Sequence, residues 1–347
     1  MADLTSFNLN TLNAKALYDV VSRLGLTRAQ VRALLPDWWG KGLEKEASGI
    51  AELAMHLSRR LSLDLEELLK GRLAPKGAVA QVAFKHPANI DSATLSPASF
   101  IASSLAQAVL AALPSKYEPL PATADNVRGL AKQEGKAVLG FDALLELCWT
   151  HGIPVIPLPN LPIGVRKMDG AALQVGSRPA IVIAKKKSSR AWLSFILAHE
   201  IGHVVLNHLR SGSSIVDISL QETSTYSVES SSDLQETEAD AFALEVMGGS
   251  TVEREISTWS ALAPVEIAVE ARRSAVRHRI EAGHFILRYA FATKRWAEAV
   301  TALRFLSEDL DPESALGEQL SQRLDMKLLS DDLQDFIAQV TGWRGKA

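Results

Sequence analysis

The chain has 347 residues, of which 47% are hydrophobic and 22% are charged, and its formal net charge at pH 7 is −3. A chain of this length and composition is expected to form a soluble globular protein with two or three domains, and its nearly balanced charge excludes a general attraction to nucleic acid or anionic membranes. The single cysteine, Cys148, excludes an internal disulfide framework, while the absence of a long apolar run and of a signal-peptide pattern predicts a cytoplasmic protein without a membrane span.

Residues 1–73 are predicted to form several short helices, the fourth of them capped by Ser62. The last of these helices faintly resemble the end of a helix-turn-helix fold. The sequence LLPDWWGKGLEKE, however, fills the place of the recognition helix, and its Trp38 and Trp39 are expected to pack inward. Residues 1–76 carry nearly equal numbers of basic and acidic groups, whereas DNA-binding domains usually present a basic face. We therefore expect a degenerate helix-turn-helix kept for protein contacts, with DNA binding as the alternative.

Residues 74–125 are predicted to contain one alanine-rich helix, 96–113, which Pro114 ends. The polar stretch 115–136 contains two prolines and is expected to be a linker. A further helix is predicted at 141–150, where apolar residues recur at helical spacing.

Short strands are predicted beyond this helix. One begins at Ile153, and two more, 170–175 and 180–184, are joined by a turn over 176–179. An edge strand can bind an extended peptide by adding it to the sheet. We therefore expect one of the last two strands to pair with such a peptide.

The run 192–209 is apolar on nearly all sides, as expected of a buried helix, yet it contains His199, Glu200 and His203. Because residues four apart share a helix face, the two histidines can offer nitrogen atoms to one metal ion. Glu200 lies about 100° around the helix from His199, where its carboxylate can act as a general base. The His-Glu-x-x-His pattern is typical of zinc peptidases.

The alternative interpretation of this pattern is a core helix whose histidines make only structural hydrogen bonds, because short motifs recur by chance. Gly202 disfavours that interpretation. A glycine inside a helix costs about 1 kcal/mol relative to alanine, so its presence indicates that another element approaches closely there.

A second helix, predicted over 235–247, supplies a third candidate ligand. Glu236 and Asp240 are four residues apart and share one face of it. We expect Glu236 to complete the zinc ligands and Asp240 to orient a ligating histidine. Glu238 is the rival ligand, although its position predicts greater exposure. Three ligands with one open position indicate a catalytic site, because structural zinc sites close all four positions.

Two further potential ligands are expected to be structural. His208 lies five residues after His203 and is predicted to point to another face, at the surface or the helix end. Cys148 lies on the apolar side of its predicted helix and is expected to be a core thiol, with an inhibitory fourth metal ligand as the alternative.

The serine-rich stretch 211–233 joins the two helices that carry the candidate ligands and has the composition of a long loop. We expect it to border the site and to act as a lid. Tyr226 within it is a candidate for stabilising an oxyanion.

The motifs ILAHEIGHVVLNH and ETEADAFALEVM, with GIPV before them, resemble the ImmA/IrrE family of zinc metallopeptidases over residues 138–249. The resemblance implies the same zinc ligands and the same catalytic glutamate. It also implies a bacterial regulator that cleaves or otherwise inactivates a helix-turn-helix repressor, often one encoded beside it. Trp192 and Ser194 differ from the usual family pattern, but neither is a candidate ligand.

Residues 251–347 are predicted to be helical to the end. The run RSAVRHRI is basic and offers a site for phosphate or an acidic partner, although a solvated helix face is the favoured interpretation.

These patterns predict an α+β protein with a zincin-like metallopeptidase core and a small mixed sheet. The expected regions are 1–73, 74–125, the zinc-binding core 126–250, and 251–347. The predicted function is a Zn²⁺-dependent endopeptidase of narrow specificity that cleaves a helix-turn-helix repressor and so switches on a stress, mobile-element or defence response, with nucleic acid considered as an activator. The alternative is a transcription regulator or binding module that uses the zinc fold as a scaffold, although such a scaffold would not need Glu200.

Overall fold

The computed structural model describes residues 13–76, 96–134, 138–166, 168–184, 189–209, 214–217, 234–306 and 312–343. Within these ranges fifteen α-helices surround one four-stranded sheet, which confirms the predicted α+β class. No helix in the described part of the chain is both long enough and apolar enough to cross a membrane.

The helices and strands have the following bounds. The helices are α1 Ala14–Ser22, α2 Arg28–Arg32, α3 Ala47–Arg60, α4 Leu65–Leu69, α5 Ser96–Ala112, α6 Ala124–Glu134, α7 Phe141–Thr150, α8 Arg190–Val205, α9 Leu234–Val246, α10 Gly249–Ser257, α11 Pro264–His278, α12 Ala282–Thr293, α13 Trp296–Leu303, α14 Pro312–Arg323 and α15 Asp331–Thr341. The strands are β1 Val155–Pro157, β2 Gly170–Val175, β3 Arg178–Ile183 and β4 Ser214–Asp217.

The sheet has the strand order β1-β3-β2-β4, with β1 parallel to β3 and β2 antiparallel to both β3 and β4. The expectation that β2 or β3 is an edge strand open to a peptide is wrong. Over Gly170–Leu173, β2 already pairs on one side with β3 and on the other with β4. The edges of the described sheet are β1 and β4.

The N-terminal helices differ from their prediction in two local features. The cap of α4 is Asp64, whose side chain accepts a hydrogen bond from the backbone N–H of Glu67, and not Ser62. Trp39 packs inward as expected, but 57% of Trp38 is exposed. A 3-10 turn at Leu43–Lys45 lies where a recognition helix would be needed.

The expected linker 115–136 contains the helix α6, so that prediction is wrong for its second half. Val127 and Ala131 of α6 are fully buried, and the helix packs against α7 and α9. Two apolar positions four apart are enough to seat this otherwise polar helix on the core.

Helix α8 lies at the centre of the fold. Every residue from Arg190 to Val204 is buried, because α7, α9, α12 and strands β2 and β3 pack around it. A helix that is apolar all round requires such an environment. Polar groups in its middle are therefore held in fixed positions and away from water.

Two arginines of the basic run on α11 are paired with neighbouring carboxylates. Arg277 and His278 both contact Glu255, at 2.5 and 2.9 Å, and Arg273 contacts Glu270 at 2.6 Å. These ion pairs favour the solvated helix face over a phosphate site.

Candidate active site

The two histidines of α8 face the same point. Their Nε2 atoms are 3.0 Å apart, and both rings are buried. A separation of four residues on a helix produces this convergence.

Helix α9 places Glu236 against both imidazoles. Its Oε2 lies 3.3 Å from His199 Nε2, and its Oε1 lies 3.7 Å from His203 Nε2. Oε1 is buried and has no hydrogen-bond partner among the described residues. One donor atom from each of these three residues lies within 4.8 Å of the other two.

Gly202 permits the close packing of α9 on α8, as its presence in the helix indicated. A Cβ atom at this position would lie 3.2 Å from the Cα of Ala239 and 3.2 Å from Cδ1 of Phe242. A larger residue would push α9 away and carry Glu236 with it.

The geometry fits a zinc ion. Ligand atoms bound at about 2.0–2.2 Å in a tetrahedral arrangement are about 3.3–3.6 Å apart. The two Nε2 atoms are 3.0 Å apart, and the carboxylate of Glu236 places one oxygen 3.3 Å from His199 and the other 3.7 Å from His203, close to that range. Two neutral imidazoles and a carboxylate are also the ligand set typical of catalytic zinc.

The protonation states of His203 and Glu236 favour the binding of a cation. Burial lowers the pKa of His203 to about 4, so its imidazole is neutral at pH 7 and retains a free lone pair. Burial alone would raise the pKa of Glu236, but the two imidazoles beside it overcome that effect and hold the pKa below its usual range.

The second nitrogen of each histidine is occupied by another side chain. His199 Nδ1 lies 2.9 Å from Oδ1 of Asp240, the contact expected for a residue that orients a ligand. His203 Nδ1 lies 2.9 Å from Nδ1 of His208. Glu238, the rival ligand, contacts Nε2 of His208 at 3.0 Å and does not join the three-residue group.

The prediction that His208 points to another face is wrong, because it assumed that the helix continues. Helix α8 ends at Val205, and Asn207 adopts a left-handed conformation with φ of 56°. The backbone N–H of His208 then bonds the carbonyl of His203 at 3.0 Å, which turns the side chain back towards that residue. The left-handed tendency of asparagine was the available sequence signal.

Glu200 of α8 is 1% exposed, and its side chain packs against Gly170, the first residue of β2. A Cβ atom at Gly170 would lie 2.4 Å from its Oε1 and 3.0 Å from Cγ2 of Ile196. Gly170 therefore provides the space that the carboxylate occupies.

The Gly170→Ala variant should remain folded, retain its metal and lose about 100-fold in kcat, because the added methyl displaces the flexible end of Glu200 and a displacement of about 1 Å can cost that much. Peptide cleavage and metal content are measured on the same preparation. Gly129→Ala is the matched control, since a Cβ there meets nothing within 4 Å. Unchanged kcat in Gly170→Ala would show that the position of this carboxylate is unimportant.

Two predicted participants are not part of this group. Cys148 is fully buried on α7, burial raises the pKa of its thiol, and its sulfur is absent from the cluster of donor atoms. Tyr226 lies outside the described residues, as does the stretch 211–233 apart from β4.

Comparison with known proteins identifies one similarity. Residues 148–248 match the family profile described as IrrE N-terminal-like domain. The match begins in α7 and ends just after α9, so it includes the sheet and both helices that carry the three-residue group. No curated protein and no solved structure matches the chain.

Proposed function

We propose that this chain is a zinc-dependent endopeptidase whose zinc ligands are His199, His203 and Glu236. The match of residues 148–248 to the IrrE N-terminal-like profile supports this proposal. The convergence of His199 and His203 of α8, the helix that also carries Glu200, with Glu236 of α9 is the observation that supports the proposal. A bound zinc ion supplies Lewis acidity, which polarises the scissile carbonyl and lowers the pKa of water.

Glu200 acts as the general base and then as the general acid. Its carboxylate accepts a proton from water as the water oxygen bonds to the carbonyl carbon. When the C–N bond breaks, the same proton passes to the departing amine, so the products are a carboxylic acid and an amine. Burial beside Gly170 and Ile196 holds the carboxylate in place for both transfers.

The substrate that we propose is a helix-turn-helix repressor, cut in an extended segment between or beside its folded parts. The family resemblance over 138–249 supports this substrate class. Narrow specificity is supported by the large helical regions on both sides of the matched segment, which contribute none of the three ligands. The proposed outcome is the release of genes that the repressor holds silent in a stress, mobile-element or defence response.

Incubation of the full chain with casein and with the repressor encoded beside it tests this proposal. We expect no turnover of casein and one or two discrete cuts in the repressor. Each reaction is run with and without single-stranded DNA, the candidate activator, and with Glu200→Gln as the inactive control. Rapid digestion of casein would contradict the narrow specificity, and an intact repressor under every condition would contradict the substrate.

A further inference from the structure

His203 is the ligand whose orientation depends on two further side chains. Its Nδ1 is 2.9 Å from Nδ1 of His208, and Nε2 of His208 is 3.0 Å from Oε2 of Glu238. The rings of the two histidines lie 5.1 Å apart at 63° to each other. The three side chains thus form a line that leads from the metal group to the surface.

A contact between two imidazole nitrogens needs one proton, carried by only one of them. If Nε2 of His203 is to face a metal ion with its lone pair, the proton of that neutral ring must be on Nδ1. His208 must then accept at Nδ1 and carry its own proton on Nε2, from which it donates to the carboxylate of Glu238. With the Nε2 lone pair of His203 directed at a metal ion, this arrangement satisfies both contacts.

We propose that His208 and Glu238 are positioning residues that hold His203 in the tautomer and orientation needed to bind the metal. This inference rests on the proposed function only in taking the three-residue group as a metal site. Glu238, first considered as a rival ligand, acts on the metal indirectly through His208.

The two positioning residues differ in burial and in how the backbone holds them. His208 is 8% exposed and is fixed by its backbone bond to His203, whereas 48% of the Glu238 side chain is exposed. His199 has a simpler arrangement, because Asp240 contacts it directly at 2.9 Å. Each ligating histidine therefore has its own series of orienting side chains, and both series end in a carboxylate of α9.

With both series of orienting side chains in place, Nε2 of His199, Nε2 of His203 and the carboxylate of Glu236 are the atoms that would bind the metal ion. The orienting residues thus prepare the group for a metal.

Zinc affinity of the full chain, measured by competition with a chelator, tests the proposal in two variants of similar size. In His208→Leu the acceptor for His203 is lost, and we expect affinity to fall about 10- to 100-fold. In His208→Asn the side-chain oxygen takes the place of Nδ1, and we expect affinity within about threefold of the original, since an amide oxygen accepts hydrogen bonds. Equal affinities for the two variants, whether both high or both low, would overturn the proposal.

Two further measurements separate this inference from the peptidase proposal. Glu238→Ala should weaken zinc binding about tenfold. The control Glu245→Ala removes an exposed carboxylate from the same helix and should leave zinc binding unchanged. Equal effects of the two substitutions would contradict a positioning role for Glu238. In the metal-free protein, ¹⁵N NMR should find the proton of His203 on Nδ1, and a proton on Nε2 would overturn the inference. A protein that binds zinc with these differences but cuts no peptide would contradict only the peptidase proposal.

Discussion

Replacement of Glu200 by glutamine should abolish peptide cleavage and leave metal binding intact. A glutamine amide cannot accept a proton from water at neutral pH, so the reaction loses its general base and its general acid together. General acid–base catalysis typically contributes about 10²- to 10⁴-fold, and we expect a loss at the upper end of that range. Metal content should not change, because Glu200 is not among the three grouped ligands.

The measurement compares cleavage of the repressor substrate by the two proteins at equal metal content. Glutamine has nearly the same shape as glutamate, so it can occupy the space beside Gly170 without disturbing α8. His199→Ala, which should lose the metal itself, is the second reference variant. Cleavage by Glu200→Gln within tenfold of the original would assign the proton transfers to another group.

The two helix faces that carry the three-residue group could be predicted from sequence because spacing along a helix is local, whereas the contact between the two helices is long-range. His199 and His203 share a face of one helix, and the same rule places Glu236 and Asp240 on one face of another. The all-apolar surroundings of α8 predicted its burial, and Gly202 indicated where a second element would approach. None of these inferences needed knowledge of distant contacts.

Two kinds of feature could not be predicted in the same way: where the chain turns after a helix, and which strands pair with each other. The position of His208 is set by the left-handed turn at Asn207, which ends α8 earlier than its apolar pattern suggests. The interior position of β2 depends on its pairing with β4, which comes from the other side of α8 in the sequence. Strand order is a long-range property that alternating apolar residues do not encode.

A long-range cluster of charged side chains joins the N-terminal helices to the C-terminal helix. Oδ1 of Asp332 in α15 lies 2.7 Å from Nη2 of Arg60 and 2.9 Å from Nδ1 of His56, both in α3. Arg60 is 1% exposed, and it also donates to the carbonyl of Leu34 and to the side chain of Gln339. The guanidinium is therefore buried with Asp332 as its counter-charge.

The Asp332→Asn variant should lose about 3 kcal/mol of unfolding free energy at pH 7, because it leaves the buried charge of Arg60 without its partner. Burial opposes ionisation of Asp332, but the close contacts with His56 and Arg60 overcome that effect and hold its pKa below the usual range. A lowered pKa in the folded state gives stability that is present above the pKa of the unfolded chain, about 3.9, and is lost as the pH falls towards the folded value.

Urea denaturation followed between pH 7 and pH 3 should therefore show the largest difference between wild type and Asp332→Asn at neutral pH, narrowing below about pH 4, where Asp332 of the unfolded wild-type chain takes up a proton and that of the folded chain does not. Replacing both partners, in Arg60→Met with Asp332→Leu, should recover much of the loss, because a buried ion pair can be replaced by apolar side chains at little cost. A cycle of Arg60→Met, Asp332→Leu and the double variant measures the coupling between the two side chains. If Asp332→Asn is as stable as wild type at pH 7, the ion pair of Asp332 with Arg60 does not hold α3 and α15 together.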